Sequence, residues 1–225
     1  WPVGDELVVT WRGGGPAINV FVSDDPIDAG TDIRAPDGPN QVTVSRREQT
    51  YVHLFDPEHG FTVVGERLLA MDSVMNFRDL GGYPTVDGGA TRWGQVFRSA
   101  RLNETSDTDL ERIERLGITK VFDLRTQAEV GNEPDRLPDS VEHVHLPMSS
   151  SVALQKGLFQ RILDRDMTSF TKADMAEGYV RMLESFPEHL GQMAHAVADG
   201  EKILFHCTAG KDRTGITAML LLGLA

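Results

Sequence analysis

Lys202-Ile203-Leu204-Phe205-His206-Cys207-Thr208-Ala209-Gly210-Lys211-Asp212-Arg213-Thr214-Gly215 is the stretch from which the rest of the chain is read. Its opening residues are an apolar run suited to a buried strand, and residues 216–224, apolar all round, predict a buried helix. Between them stands Cys-x5-Arg. In a strand-to-helix loop the backbone N–H groups turn inward as an anion nest, and the helix adds its positive N-terminal end. The same field favours the thiolate of Cys207, whereas an unassisted cysteine, with a pKa near ~8.5, is only slightly ionised at neutral pH. Arg213 offers a planar fork matched to two phosphate oxygens, which lysine does not. Gly210 and Gly215 are read as positions where the backbone must come close. Thr208, Ala209, Gly210, Lys211 and Thr214 are the expected anion contacts, with the Thr214 hydroxyl within reach of the sulfur.

Such a loop supports a two-step displacement. Cys207 attacks phosphorus in line, a general acid protonates the leaving alcohol, and water hydrolyses the phosphocysteine. Arg213 and the loop amides carry the charge, so neither a metal nor another cofactor is expected. Asp212 is the preferred acid, with Asp123, Asp164 and Asp166 as alternatives. His206 is read as orienting the loop through hydrogen bonds rather than as an acid or base. The other histidines are scattered, without metal-ligand spacing.

Composition limits the alternatives. The chain has 225 residues, 40% hydrophobic and 25% charged, with a net charge of −12. Residues 1–75 contribute −7 and residues 76–225 contribute −5. A chain this acidic argues against nucleic-acid binding, and its affinity for a phosphate must be local. The single cysteine excludes an internal disulfide and a cysteine-based structural zinc site. No apolar run is long enough to span a bilayer. Cytoplasmic and exported locations both remain open, the former preferred.

Upstream the pattern changes. Before about residue 70, β-branched runs of period two alternate with turns: Leu7-Val8-Val9-Thr10-Trp11, Ile18-Asn19-Val20-Phe21-Val22, Gln41-Val42-Thr43-Val44, Tyr51-Val52-His53-Leu54-Phe55 and Phe61-Thr62-Val63-Val64. These predict a small all-β sandwich of the fibronectin or immunoglobulin kind over residues 1–71, with Trp11, Tyr51 and Phe55 in its core. From residue 72 to 225 strands and helices alternate, the mark of an α/β domain with a largely parallel sheet. Ser106 and Asp109 read as a capping box opening a helix that Gly117 stops. Strands are predicted over 119–124 and 141–146, a helix from about 171, and another with Pro187 in its first turn and Gly200 after its end.

Three stretches carry a resemblance: Asn76-Phe77-Arg78-Asp79-Leu80-Gly81-Gly82-Tyr83 with Trp93-Gly94-Gln95-Val96-Phe97-Arg98-Ser99 following, then Leu116-Gly117-Ile118-Thr119-Lys120-Val121-Phe122-Asp123-Leu124-Arg125, then residues 206–215. In this order they resemble the bacterial protein-tyrosine and lipid phosphatases whose signature is His-Cys-x-x-Gly-Lys-Asp-Arg-Thr-Gly. The similarity covers about residues 72–225. It implies a protein-tyrosine-phosphatase-like sheet flanked by helices and a phosphomonoester hydrolase acting on phosphotyrosine. It also implies phosphoserine, phosphothreonine and phosphoinositides as further substrates, the lipids because Lys211 and Asp212 match members that accept them. For Lys211 a phosphate, solvent and a neighbouring acid stay open.

Two departures bear on activity. The family's proposed acid follows Val144-His145-Leu146-Pro147-Met148, where this chain has Ser149-Ser150-Ser151. A phosphate-binding module with impaired catalysis is therefore a second reading, and a rhodanese- or arsenate-reductase-like thiolate enzyme a third. The chain also stops 11 residues after Thr214, where relatives continue. The domain is thus expected to be C-terminally incomplete, and the exposed C-terminal helix to pair copies of the chain. Arg78 with Asp79, and Asp123 with Arg125, are read as buried ion pairs bracing the loop rather than as substrate contacts.

Overall fold

The computed structural model describes residues 4–13, 18–36, 38, 40–47, 49–148 and 171–225. They fall into two compact units. One joins the residues up to Met71 with Phe77–Phe97, the other joins Asp72–Asn76 with Arg98–Leu224.

The first unit holds β1 (Glu6–Thr10), β2 (Asn19–Ser23), β3 (Ile33–Arg34), β4 (Gln41–Ser45), β5 (Tyr51–Asp56), β6 (Gly60–Gly65) and β7 (Arg78–Asp79). β1 and β4 pair antiparallel, and a second antiparallel sheet runs β3-β2-β5-β6. Val20, Val22, Val42, Val44, Val52 and Leu54 are buried in one cluster, with Leu7, Val9, Trp11, Ile18 and Val64 packed on it. Each such side chain contributes about 1.5–3 kcal/mol of burial. The cluster takes Val52 and Leu54 from β5, so period two sends Tyr51 and Phe55 to the other face. Those two are therefore not members of the cluster. Tyr51 is buried edge-on to Trp93 at 6.0 Å, and Phe55 is half-buried 4.8 Å from Phe61. β3 escaped the sequence pattern because it has only two residues.

Strand alternation also separates Arg78 from Asp79. Arg78 is exposed and Asp79 buried, so the buried ion pair expected of them does not form. The Asp79 carboxylate instead accepts from the amides of Gly81 and Gly94, each at 2.8 Å. Gly81 has no room for a side chain, since a Cβ there would lie 2.5 Å from the Trp93 backbone.

β8 (Val96–Ser99) leads into the second unit, which continues with α1 (Asp107–Arg115), β9 (Lys120–Asp123), α2 (Gln127–Asn132) and β10 (Glu142–His145). There follow α3 (Lys172–Ser185), α4 (Pro187–Ala198), β11 (Ile203–His206) and α5 (Asp212–Gly223). β9 pairs in parallel with β10 on one side and β11 on the other, His206 standing beside Asp123. The carboxyl ends of β9 and β11 thus open at one edge, where parallel α/β sheets place ligands. Gly117 and Gly200 follow α1 and α4 with φ of 71° and 86°, the left-handed stop that glycine adopts without strain. α5 starts at Asp212 rather than near residue 216, so the arginine of the loop lies in its first turn. It is not buried all round, because Met219 is 56% exposed. Among the described residues no helix is long and apolar enough to cross a membrane.

The helix start at Ser106 departs from the capping box in an informative way. Ser106 Oγ accepts from the Asp109 amide at 3.2 Å, but the Asp109 carboxylate does not return to Ser106. It accepts instead from the amides of Asp72, Ser73 and Val74 at 2.8, 2.8 and 3.0 Å and from Ser73 Oγ at 2.7 Å. Burial alone would raise its pKa, yet these donors hold it below the usual carboxylate range. Asp109→Ala leaves three amides without an acceptor, and is expected to cost about 2–4 kcal/mol in urea unfolding. Because the folded pKa is lowered, this contribution is present above pH ~3.9 and lost as pH falls through the folded value.

Candidate active site

Residues 207–211 join β11 to α5, and the loop's shape follows from what holds its carbonyls. The Thr208 carbonyl accepts from the Arg101 amide at 3.2 Å. The carbonyls of Ala209 and Gly210 accept from Asn76 Nδ2 at 3.3 and 2.8 Å, and Arg98 also donates to Gly210 at 2.6 Å. In a planar trans peptide the next N–H points opposite to the carbonyl. Anchoring these three carbonyls outward therefore turns the amides of Ala209, Gly210 and Lys211 to the other side as a nest. Gly210 is required: its φ is 65°, and a Cβ would lie 2.4 Å from the Ser99 carbonyl oxygen. Gly215 is not under the same constraint, since an added Cβ would meet only Arg98, at 3.9 Å.

Cys207 is buried at the start of this loop. Burial by itself raises its pKa. The nearby hydroxyl and amide of Thr214, the charge of Arg213 and the Gly210 amide outweigh that, leaving the thiol below the ordinary cysteine value. Thr214 is buried, Thr208 and Arg213 are half-buried, and Ala209, Lys211 and Asp212 are exposed.

Glu129, which sequence reasoning missed, completes the arrangement. Its carboxylate receives Arg213 end-on, NH1 to Oε2 at 2.8 Å and NH2 to Oε1 at 2.7 Å, and Thr208 Oγ1 donates to Oε1 at 2.5 Å. The same carboxylate caps α2, accepting from the Thr126 amide at 2.8 Å. Burial pushes the Glu129 pKa up, but the bonds from Arg213, Thr208 and Thr126 hold it far below the usual range. It is an ionised brace, not a proton donor. Fixing NH1 and NH2 in this way leaves the Nε edge of the guanidinium for an anion. The signal was present in Thr126-Gln127-Ala128-Glu129, whose Thr-x-x-Glu spacing is a capping box.

Behind the loop lies a buried charge network. Arg125 donates to Asp123 at 2.8 Å and Asp135 at 2.7 Å, and each of the three side chains is at most 2% exposed. His206 Nε2 is 2.9 Å from Asp135, and half-buried His143 lies 3.5 Å from Asp135 and 3.7 Å from Asp123. Burial opposes ionisation of Asp123, but the nearby His143, the bonds from Arg125 and the charge of His206 hold its carboxyl far below the usual range. A proton-donating role for Asp123 does not fit that environment. Bonds to Asp123 and Asp135 in turn raise His143 to about 9. Asp123, Asp135 and His143 have ligand atoms within 4.8 Å of one another, a spacing a cation could use. Arg125 and protonated His143 already offset the two carboxylates.

The remaining candidates are dispersed. Asp212, first residue of α5, accepts from the Tyr179 hydroxyl at 2.6 Å. Arg78 and Asp79 belong to the first unit. Asp164, Asp166 and the three serines at 149–151 lie outside the described residues.

A buried cysteine follows a parallel strand, with inward-turned amides after it and an arginine in the first turn of the next helix, an arrangement that could hold an anion. The chain belongs to the tyrosine phosphatase family, whose sequence profile matches residues 69–225. It is 33% identical over 165 residues, 72% of its length, to a Cupriavidus necator protein classed by name with the tyrosine-protein phosphatases. It is 33% identical over 169 residues, 65% of its length, to the triple specificity protein phosphatase PtpB of Mycobacterium tuberculosis. A tyrosine-protein phosphatase of Nostoc commune is 36% identical over 133 residues, 57% of this chain. The chain spans 59%, 60% and 42% of these relatives.

Two measurements follow. Glu129→Gln loosens Arg213 and is expected to weaken phosphate binding about tenfold through lost preorganisation, measured by calorimetry. The His143 pKa is raised from 6.5 to about 9, so its stabilising contribution is complete below the unfolded value and disappears as pH rises through about 9. Urea midpoints should fall over that window, and His143→Gln should flatten the fall.

Proposed function

We propose that this chain is a cysteine-dependent phosphatase of phosphomonoesters that works through a phosphocysteine intermediate. The observation that carries the reading is the setting of Cys207: it is buried at the start of a loop whose carbonyls are anchored away by Asn76 and Arg98, with Arg213 of the next helix fixed by Glu129. Cys207 Sγ attacks phosphorus, the bond to the leaving oxygen breaks, and the developing charge falls on the amides of Ala209, Gly210 and Lys211 and on Arg213. Asp212 supplies the proton to the leaving oxygen, and water then cleaves the S–P bond.

Phosphotyrosine is the first substrate of this reading, supported by the family and by the names of the relatives. Phosphoserine, phosphothreonine and phosphoinositides belong to it too. The exposed Lys211 beside the nest would meet a further phosphate, and one relative is named for triple specificity. Residues 1–71 are read as an immunoglobulin-like sandwich, which the valine cluster shared by its two sheets supports, with Phe77–Phe97 joining the same compact unit. The exposed Met219 on α5 supports pairing of copies through that helix.

Cys207→Ser decides the matter. It is expected to abolish hydrolysis of p-nitrophenyl phosphate by at least about 10³-fold, while tungstate binding persists. Hydrolysis surviving this change would overturn the reading. Anion binding without an initial burst of nitrophenol in the unaltered chain would establish the impaired-catalysis alternative.

A further inference from the structure

The carboxylates around the signature loop have two kinds of partner. Glu129 is engaged by the Arg213 guanidinium through NH1 and NH2, and Asp123 by that of Arg125 through Nε and NH2. Both are fixed as ions. Asp212 is different: its Oδ1 accepts from a neutral donor, the Tyr179 hydroxyl, at 2.6 Å. Tyr179 belongs to α3, a separate helix from the one Asp212 opens, and the two are 33 residues apart in sequence. Nothing in the Cys-x5-Arg motif calls for this contact. The bond to Asp212 is the main cause of the raised Tyr179 pKa, followed by partial burial and the carboxylate's charge. The hydroxyl therefore keeps its proton and remains a donor.

We propose that Tyr179 is the positioning residue for Asp212, a role that rests on the phosphatase reading above and on Asp212 as its acid. Asp212 is exposed at the first position of α5, where its side chain would otherwise sample several rotamers. One hydrogen bond from a ring on a neighbouring helix selects among them and leaves the second oxygen for the leaving group. The bond also matters during transfer. As the S–P bond forms and the P–O bond breaks, the electron pair goes to the leaving oxygen. That oxygen takes the Asp212 proton, and the negative charge left on Asp212 is received by the Tyr179 O–H. An apolar residue in the same place would leave the new charge unsupported.

The test is Tyr179→Phe in the full 225-residue chain, which keeps the ring and removes one oxygen. Help from an acid is needed most by poor leaving groups. The expected result is about a tenfold fall in kcat/KM for phenyl phosphate and less than about twofold for p-nitrophenyl phosphate. Tungstate affinity should be unchanged. In an Asp212→Asn background, Tyr179→Phe should add no further loss. An equal fall for both substrates, an additive loss in the Asn background, or no fall at all would each overturn the positioning role while leaving the phosphatase reading intact. No turnover by the unaltered chain would overturn both.

Discussion

The chemistry around Cys207 depends on one constraint, the direction of three consecutive peptide planes. Thr208, Ala209 and Gly210 present their carbonyls to Arg101, Asn76 and Arg98, and the following amides have no choice but to face the other way. At Gly210 this requires a left-handed backbone against Ser99. Any side chain at that position would push the loop off its anchors and dismantle the nest, whatever became of the cysteine. The Gly210 amide is also one of the groups that lower the Cys207 thiol, beside Thr214 and Arg213.

Around that loop the protein arranges charge by layers. Guanidinium groups at Arg125 and Arg213 each meet a carboxylate, and neither pair is left with a bare buried ion, the arrangement that is costly to break. Burying such pairs adds less to stability than apolar packing would. What it gives is fixed geometry at the carboxyl edge of β9 and β11, where two parallel strands deliver Asp123 and His206 side by side.

Much of this was legible from residue pattern alone. The strand, loop and helix around Cys207 announce themselves because a short apolar run and a longer one flank a polar, glycine-punctuated loop. The first five long strands were legible for the same reason, whereas β3, with two residues, carries no period. What stayed hidden depends on distance in sequence. Glu129 meets Arg213 across 84 residues and Asn76 meets Gly210 across 134, and no local pattern encodes such pairings. Asp109 shows the complementary failure: its spacing from Ser106 was right for a box, but three amides from residues 72–74 outcompeted the one at Ser106. Gly215 was assigned a backbone role by its place in the motif, which its open surroundings do not require.

The state of Cys207 has a further consequence. A thiol held toward its anion is open to peroxide, and these 225 residues contain no second cysteine to trap the resulting sulfenic acid as an internal disulfide. Within these residues, condensation with a neighbouring backbone nitrogen is the internal route left, and small-molecule thiols are the external one. Cys207 is buried, so its access to solvent would decide which reductant can reach the sulfur.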